Sequence, residues 1–136
     1  MSSLVSQPAF DQVDDGAGGI DELSCGGANR VTTLSGGALR DFEIGPADAH
    51  VSAAQNSEIV GGDAAFNAAA MLDLLEGRAG GSPYWEFVVF NAAAALVCAG
   101  AAKTLADGAQ IATASLDKGD ARGALDKLVT ITSAAP

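Results

Sequence analysis

Aromatic side chains are scarce in this chain, at 5% of 136 residues, with one Trp and one Tyr. A core without large rings must come from small side chains and closely approaching helices, and Ala supplies much of the apolar content. Basic residues are also few, 7 against 17 acidic ones, for a net charge of -10. Arg30, Arg40, Arg78, Lys103, Lys118, Arg122 and Lys127 are scattered along the chain. Neutralising nucleic-acid phosphates takes Lys and Arg gathered on one surface, so no nucleic-acid partner is expected. Only two cysteines occur, with neither metal-type spacing nor a disulfide framework. Cys98 sits in an apolar helical run and reads as a small core residue, and nothing beside Cys25 marks it as a nucleophile. The single histidine, His50, falls in a loop with no partner for base catalysis. No apolar run is long enough for a membrane. The longest uncharged stretch, between Glu86 and Lys103, is interrupted by Asn91 and falls short of the roughly 20 residues that span a bilayer. The segment Met1 to Pro8 lacks a basic start and an apolar centre, so no signal peptide and a cytoplasmic location are expected.

What is present is order along the chain. Residues 1–12 are read as a flexible, patternless N-terminus, apart from a short strand expected around Phe10 to Val13. Arg30 to Ser35 and Ala38 to Ile44 are β-prone runs around Gly36-Gly37, the pattern of a hairpin, with Phe42 and Ile44 expected to face the core. A loop with one short turn follows, to Val60. Asp63 is the expected N-cap of a first helix carrying Phe66, Ala69, Ala70, Met71, Leu74 and Leu75, stopped by Gly77. Ser82-Pro83 opens a second helix that is apolar almost all round as far as about Ala102, and therefore expected to be central and buried. Thr104, with Asp107 three places on, caps a third helix that ends at Lys118-Gly119, and Asp120 is expected to cap a fourth. A helix apolar on every side needs neighbours on every side, which points to a larger assembly or a second chain.

The candidate site is the acidic pair Asp21-Glu22, just after Gly18-Gly19 and ahead of the hairpin. Adjacent carboxylates beside glycines suit a Mg2+ ion that is also held by a ligand diphosphate, because Mg2+ takes hard oxygens and usually borrows only one or two protein carboxylates. The dipeptide alone reads more readily as solvated charge on a turn.

The segments Gly19-Ile20-Asp21-Glu22-Leu23-Ser24, Ile44-Gly45-Pro46-Ala47-Asp48, Gly61-Gly62-Asp63, Asn67-Ala68-Ala69, Leu75-Glu76-Gly77 and Phe90-Asn91-Ala92 to Leu96 follow one another in a set order, closed by Leu105 to Ala109 and Leu116 to Gly119. This series resembles the C-terminal part of the anthranilate phosphoribosyltransferase family. The resemblance implies an α/β fragment, a β-hairpin plus about four helices, from the large domain of a nucleoside-phosphorylase-like phosphoribosyltransferase fold, over residues 13–136. It implies a Mg2+-dependent pentosyltransferase of tryptophan biosynthesis, with phosphoribosyl diphosphate and anthranilate as substrates and Asp21 and Glu22 as metal ligands. Asn67 and Asn91 match family positions and are read as side chains that bridge helix to backbone.

The resemblance covers about a third of the family's usual chain. The family's phosphate-cradling loop and acceptor-binding residues have no counterpart here. No catalytic or substrate-binding side chain is assigned, and Asp15-Gly16 and Gly18 stand where the family favours His-Gly and a later Asp. The chain is accordingly expected to be inactive alone and to need a separate N-terminal half. The alternative is a non-catalytic binding or assembly module.

Overall fold

The computed structural model describes residues 9–12 and 22–134. The hairpin forms where the glycine pair puts it. Strands β2 (Asn29–Ser35) and β3 (Ala38–Ile44) pair antiparallel from Asn29 opposite Ile44 to Ser35 opposite Ala38. Gly36 and Gly37 have φ of 59° and 81°, the two left-handed positions that this tight turn requires. Strand β1 (Ala9–Gln12) joins the other edge of β2, with Ala9 opposite Leu34. This is the short strand expected around Phe10 to Val13, one residue earlier in the chain, and it orders part of the stretch otherwise expected to be flexible.

Only one half of the expected β3 pattern is buried. Ile44 is covered, whereas Phe42 is 41% exposed. The alternation is present, but the described helices cover only the Ile44 end of the strand. The connection to the helices is a well-bonded loop with two 3-10 turns, Pro46–Ala49 and Asn56–Glu58. His50 follows the first turn with φ 57° and is exposed.

Four helices follow: α1 (Ala64–Leu75), α2 (Pro83–Cys98), α3 (Leu105–Asp117) and α4 (Asp120–Ser133). Three begin as the sequence predicts. The side chains of Asp63, Ser82 and Thr104 accept from the backbone N–H of Phe66, Trp85 and Asp107, each three residues on. The fourth differs. Gly119, at φ 76°, ends α3 and is itself the residue before α4, so Asp120 lies inside the first turn. There its charge faces the positive end of the helix without capping it.

The core lies where α2 meets α3 and the loop after β3, and small residues let the helices approach. A Cβ on Gly108 of α3 would stand 2.7 Å from the carbonyl oxygen of Ala93 on α2. Ala93, Ala94, Ala109 and Ala112 are buried in the same layer as Val89 and Phe90. Helix α2 is less enclosed than its composition suggests. Its buried residues are Glu86, Val89, Phe90, Ala93 and Ala94, and Ala95 is exposed. Helix α1 buries only Leu74, leaving Phe66, Met71 and Leu72 exposed, and α4 buries none of its residues fully. Arg122 of α4 reaches Glu76 at the end of α1 at 2.7 Å. Hydrogen bonds from Arg78 and Arg122 hold the Glu76 carboxyl below its ordinary pKa.

Candidate functional site

Asp21 lies outside the described residues; Glu22 is the first of the second described stretch and is exposed. Immediately after it the chain turns inward, and Leu23, Ser24 and Cys25 are all buried. An irregular segment can be buried only if its backbone polar groups find partners, each otherwise costing about 1–3 kcal/mol. Here asparagines supply most of them.

Asn29, at the start of β2 and 3% exposed, accepts the Ser24 N–H at 2.7 Å and donates to the carbonyls of Ser24 (2.9 Å), Gly27 (3.2 Å) and Ile44 (3.4 Å). Asn56, in the second 3-10 turn, accepts the Ser24 hydroxyl at 2.7 Å, and that hydroxyl accepts the Gly26 N–H at 2.9 Å. The Cys25 carbonyl takes the Ala54 N–H at 3.1 Å. From α2, Asn91 accepts the Leu23 N–H and donates to the Leu23 carbonyl, both at 2.9 Å, and donates to the Phe87 carbonyl at 3.0 Å. The bridging role read for Asn91 is therefore the one observed. Asn67 bridges too, between Gly62 N–H (2.9 Å) and Gly62 carbonyl (3.1 Å), at an exposed helix start rather than in the core.

Ser24, Asn29, Asn56 and Glu86 escaped sequence reasoning. Glu86 is buried, and its carboxylate accepts the Ser52 N–H at 2.9 Å. In the sequence it is one acid in the first turn of a helix, where dipole pairing is explanation enough. Burial, and then the Glu86 charge, push the Cys25 thiol up to about 11. Cys25 is thus a protonated core group at neutral pH and not a nucleophile.

The donor chemistry at the segment's outer end fits a hard cation. Glu22 is an exposed carboxylate, and among the described residues no three His, Cys, Asp or Glu side chains gather into a ligand set. Such a site suits an ion that takes its remaining oxygens from water and a bound phosphate. Glu22 lines none of three clefts on the helical side. The largest, about 410 Å³, is an apolar gap between α1, α2, α3 and α4 bounded by Leu74, Val88, Leu96 and Ile111. A second, about 280 Å³, lies between Val60, Phe66 and Tyr84, and a third, about 330 Å³, between His50, Trp85 and Asp117.

Residues 12–122 match a family model described as the glycosyl transferase family, a/b domain. The chain is similar to the anthranilate phosphoribosyltransferase of Methylocella silvestris, 45% identical over 120 residues, which are 88% of this chain and 34% of that protein. Among solved structures it is similar to anthranilate phosphoribosyltransferase from Thermus thermophilus, with a TM-score of 0.80 and 27% identity over 93% of this chain and 36% of that one. The Saccharomyces cerevisiae enzyme in complex with PRPP and Mg shares the fold at a TM-score of 0.79 and 20% identity, covering 86% of this chain and 33% of that one. The chain spans about a third of the length of the curated relatives it matches.

Proposed function

This chain belongs to the glycosyl transferase family, a/b domain, and from that premise we propose that it is a C-terminal portion of an anthranilate phosphoribosyltransferase. The reaction is transfer of a 5-phosphoribosyl group from phosphoribosyl diphosphate to the amino group of anthranilate, in tryptophan biosynthesis, in the cytoplasm. The observation that carries this reading is the 45% identity to a curated relative of that name across 88% of the chain.

Residues 13–136 form the C-terminal portion of the α/β domain, and Asp21 and Glu22 hold Mg2+ on the diphosphate. The metal, when bound, offsets the negative charge that builds on the departing diphosphate. The chain's own part is positional. Asn29, Asn56 and Asn91 fix the segment that begins at Leu23 and so hold the backbone next to Glu22. The amino group of anthranilate is a weak, uncharged aromatic nucleophile, so placement of the two substrates supplies most of the rate. The chain spans 34% of the relative's length, so the activity proposed is that of the whole enzyme of which these residues form the C-terminal portion.

Loss of anthranilate fluorescence on adding phosphoribosyl diphosphate and Mg2+ tests this, with the purified chain alone and with the N-terminal portion of a relative. Turnover only in the mixture is expected, and the double change Asp21→Asn, Glu22→Gln should abolish it without unfolding the chain. Turnover by residues 1–136 alone would show that they hold the whole active site. Survival of activity in the double variant would refute the metal ligands.

A second reading, a non-catalytic assembly module, is favoured by the exposed Phe66, Met71 and Leu72 on α1. It requires stable association with another polypeptide and no turnover in the same mixture.

A further inference from the structure

We infer that Asn91 is a positioning residue for the Glu22 carboxylate, acting through its grip on the backbone of Leu23. The inference rests on the reading of Glu22 as a ligand of a diphosphate-bound cation.

The Asn91 carboxamide pairs with Leu23 as a neighbouring strand would. Its oxygen takes the Leu23 N–H and its nitrogen donates to the Leu23 carbonyl, both at 2.9 Å. The remaining amide hydrogen goes back one turn to the Phe87 carbonyl at 3.0 Å. That third bond sets the orientation of the group. Turned over, the carboxamide would place its oxygen against two carbonyls and its NH2 against an N–H, so only one orientation satisfies all three partners.

The grip falls at a telling place. Ser24 is already held through both backbone groups by Asn29, and the Cys25 carbonyl by Ala54. The buried block therefore stays in place without Asn91. What Asn91 adds is control of the one residue between that block and Glu22. Consecutive Cα atoms are only about 3.8 Å apart, so fixing Leu23 confines Glu22 to a short arc. The reference frame is firm: Asn91 lies two residues before Ala93, whose carbonyl stands against Gly108 with no room for a methyl group. The backbone position of Glu22 is thus measured from the α2–α3 contact.

The test is carried out by NMR on the whole chain, with Mn2+ and inorganic pyrophosphate as the probe. In the wild type, paramagnetic broadening should centre on the amides of Glu22 and Leu23, and Glu22→Gln should remove it. In Asn91→Ala the Leu23 amide should lose its exchange protection. The Mn2+ needed for half-broadening should rise about tenfold, as for other groups that orient a metal ligand, while the amides of Ser24, Cys25 and Asn29 keep their shifts. If Asn91→Ala does not fold, Asn91→Asp replaces it; this variant keeps the acceptor for the Leu23 N–H, loses both donors and should show the same weakening. An unchanged Mn2+ response in the folded variant overturns the positioning role, as does unchanged Leu23 exchange. No broadening in the wild type overturns the metal reading instead, and the exchange of Leu23 then decides the grip by itself.

Discussion

The segment from Leu23 to Asn29 and the outer face of α1 lie in one small molecule and follow opposite rules. The first is irregular, with Leu23, Ser24, Cys25 and Asn29 buried, and side chains from β2, α2 and a 3-10 turn meet its backbone groups. The second is regular and apolar, yet Phe66 is 58% exposed and Met71 42%. Polar burial here is resolved within the chain, and apolar surface is not. Buried hydrogen-bonding groups tolerate no deferral, because each lost partner costs free energy at once. An apolar face only forgoes a gain that a later partner can supply.

The largest expected effect comes from breaking the polar side. Asn29→Ala removes four hydrogen bonds and leaves groups of buried Ser24 and Ile44, and of exposed Gly27, without that partner. A loss of about 3 kcal/mol is expected in denaturant unfolding; a loss no larger than that of an exposed substitution would show that the segment is not held as described.

The same segment should weaken in alkali. The Cys25 thiol is raised from its ordinary value of 9.0 to about 11, so between these values the folded thiol keeps a proton that the unfolded thiol releases. The unfolded state then binds fewer protons, and stability falls as pH rises from 9 towards 11, by something on the order of 2 kcal/mol. Cys25→Ser should flatten that part of the pH–stability curve.

Removing the cap with Asp63→Ala is expected to cost about 1 kcal/mol, since the Asp63 carboxylate accepts the Phe66 N–H at 2.8 Å. Thermal unfolding alongside Asp63→Asn, which can still accept, would separate the hydrogen bond from the charge.

The smallest effect sharpens the comparison most. Phe66→Ser on the exposed face should change the stability of the chain by less than about 0.5 kcal/mol. The same change should weaken association with a complementing N-terminal portion, read by titration calorimetry. A large loss of stability in the chain alone would mean that this face is already spoken for.

Legibility in the sequence follows the reach of each interaction. Asp63, Ser82 and Thr104 were readable as caps because a cap depends on residues three places away. The Gly36-Gly37 turn is equally local. Phe42 misled because alternation tells which residues share a face and not whether anything covers it. Asp120 misled because Gly119, with its positive φ, served both as the stop of α3 and as the start of α4. Asn91 stood out as an amide in an apolar helix. Asn29 and Asn56 did not, since each looks like an ordinary turn or strand-end residue until its partner, Ser24, is brought to it.

The distances along the chain spanned by these asparagine bonds set an order of events. Asn29 meets Ser24 across 5 positions, Asn56 across 32, and Asn91 reaches Leu23 across 68. Closing a longer loop costs more entropy and must wait for both of its ends to exist. The hairpin and the adjacent α2–α3 pair assemble from neighbours, and the bond beside Glu22 closes last. During synthesis Leu23 leaves the ribosome 68 positions ahead of Asn91, so this bond waits until α2 has emerged.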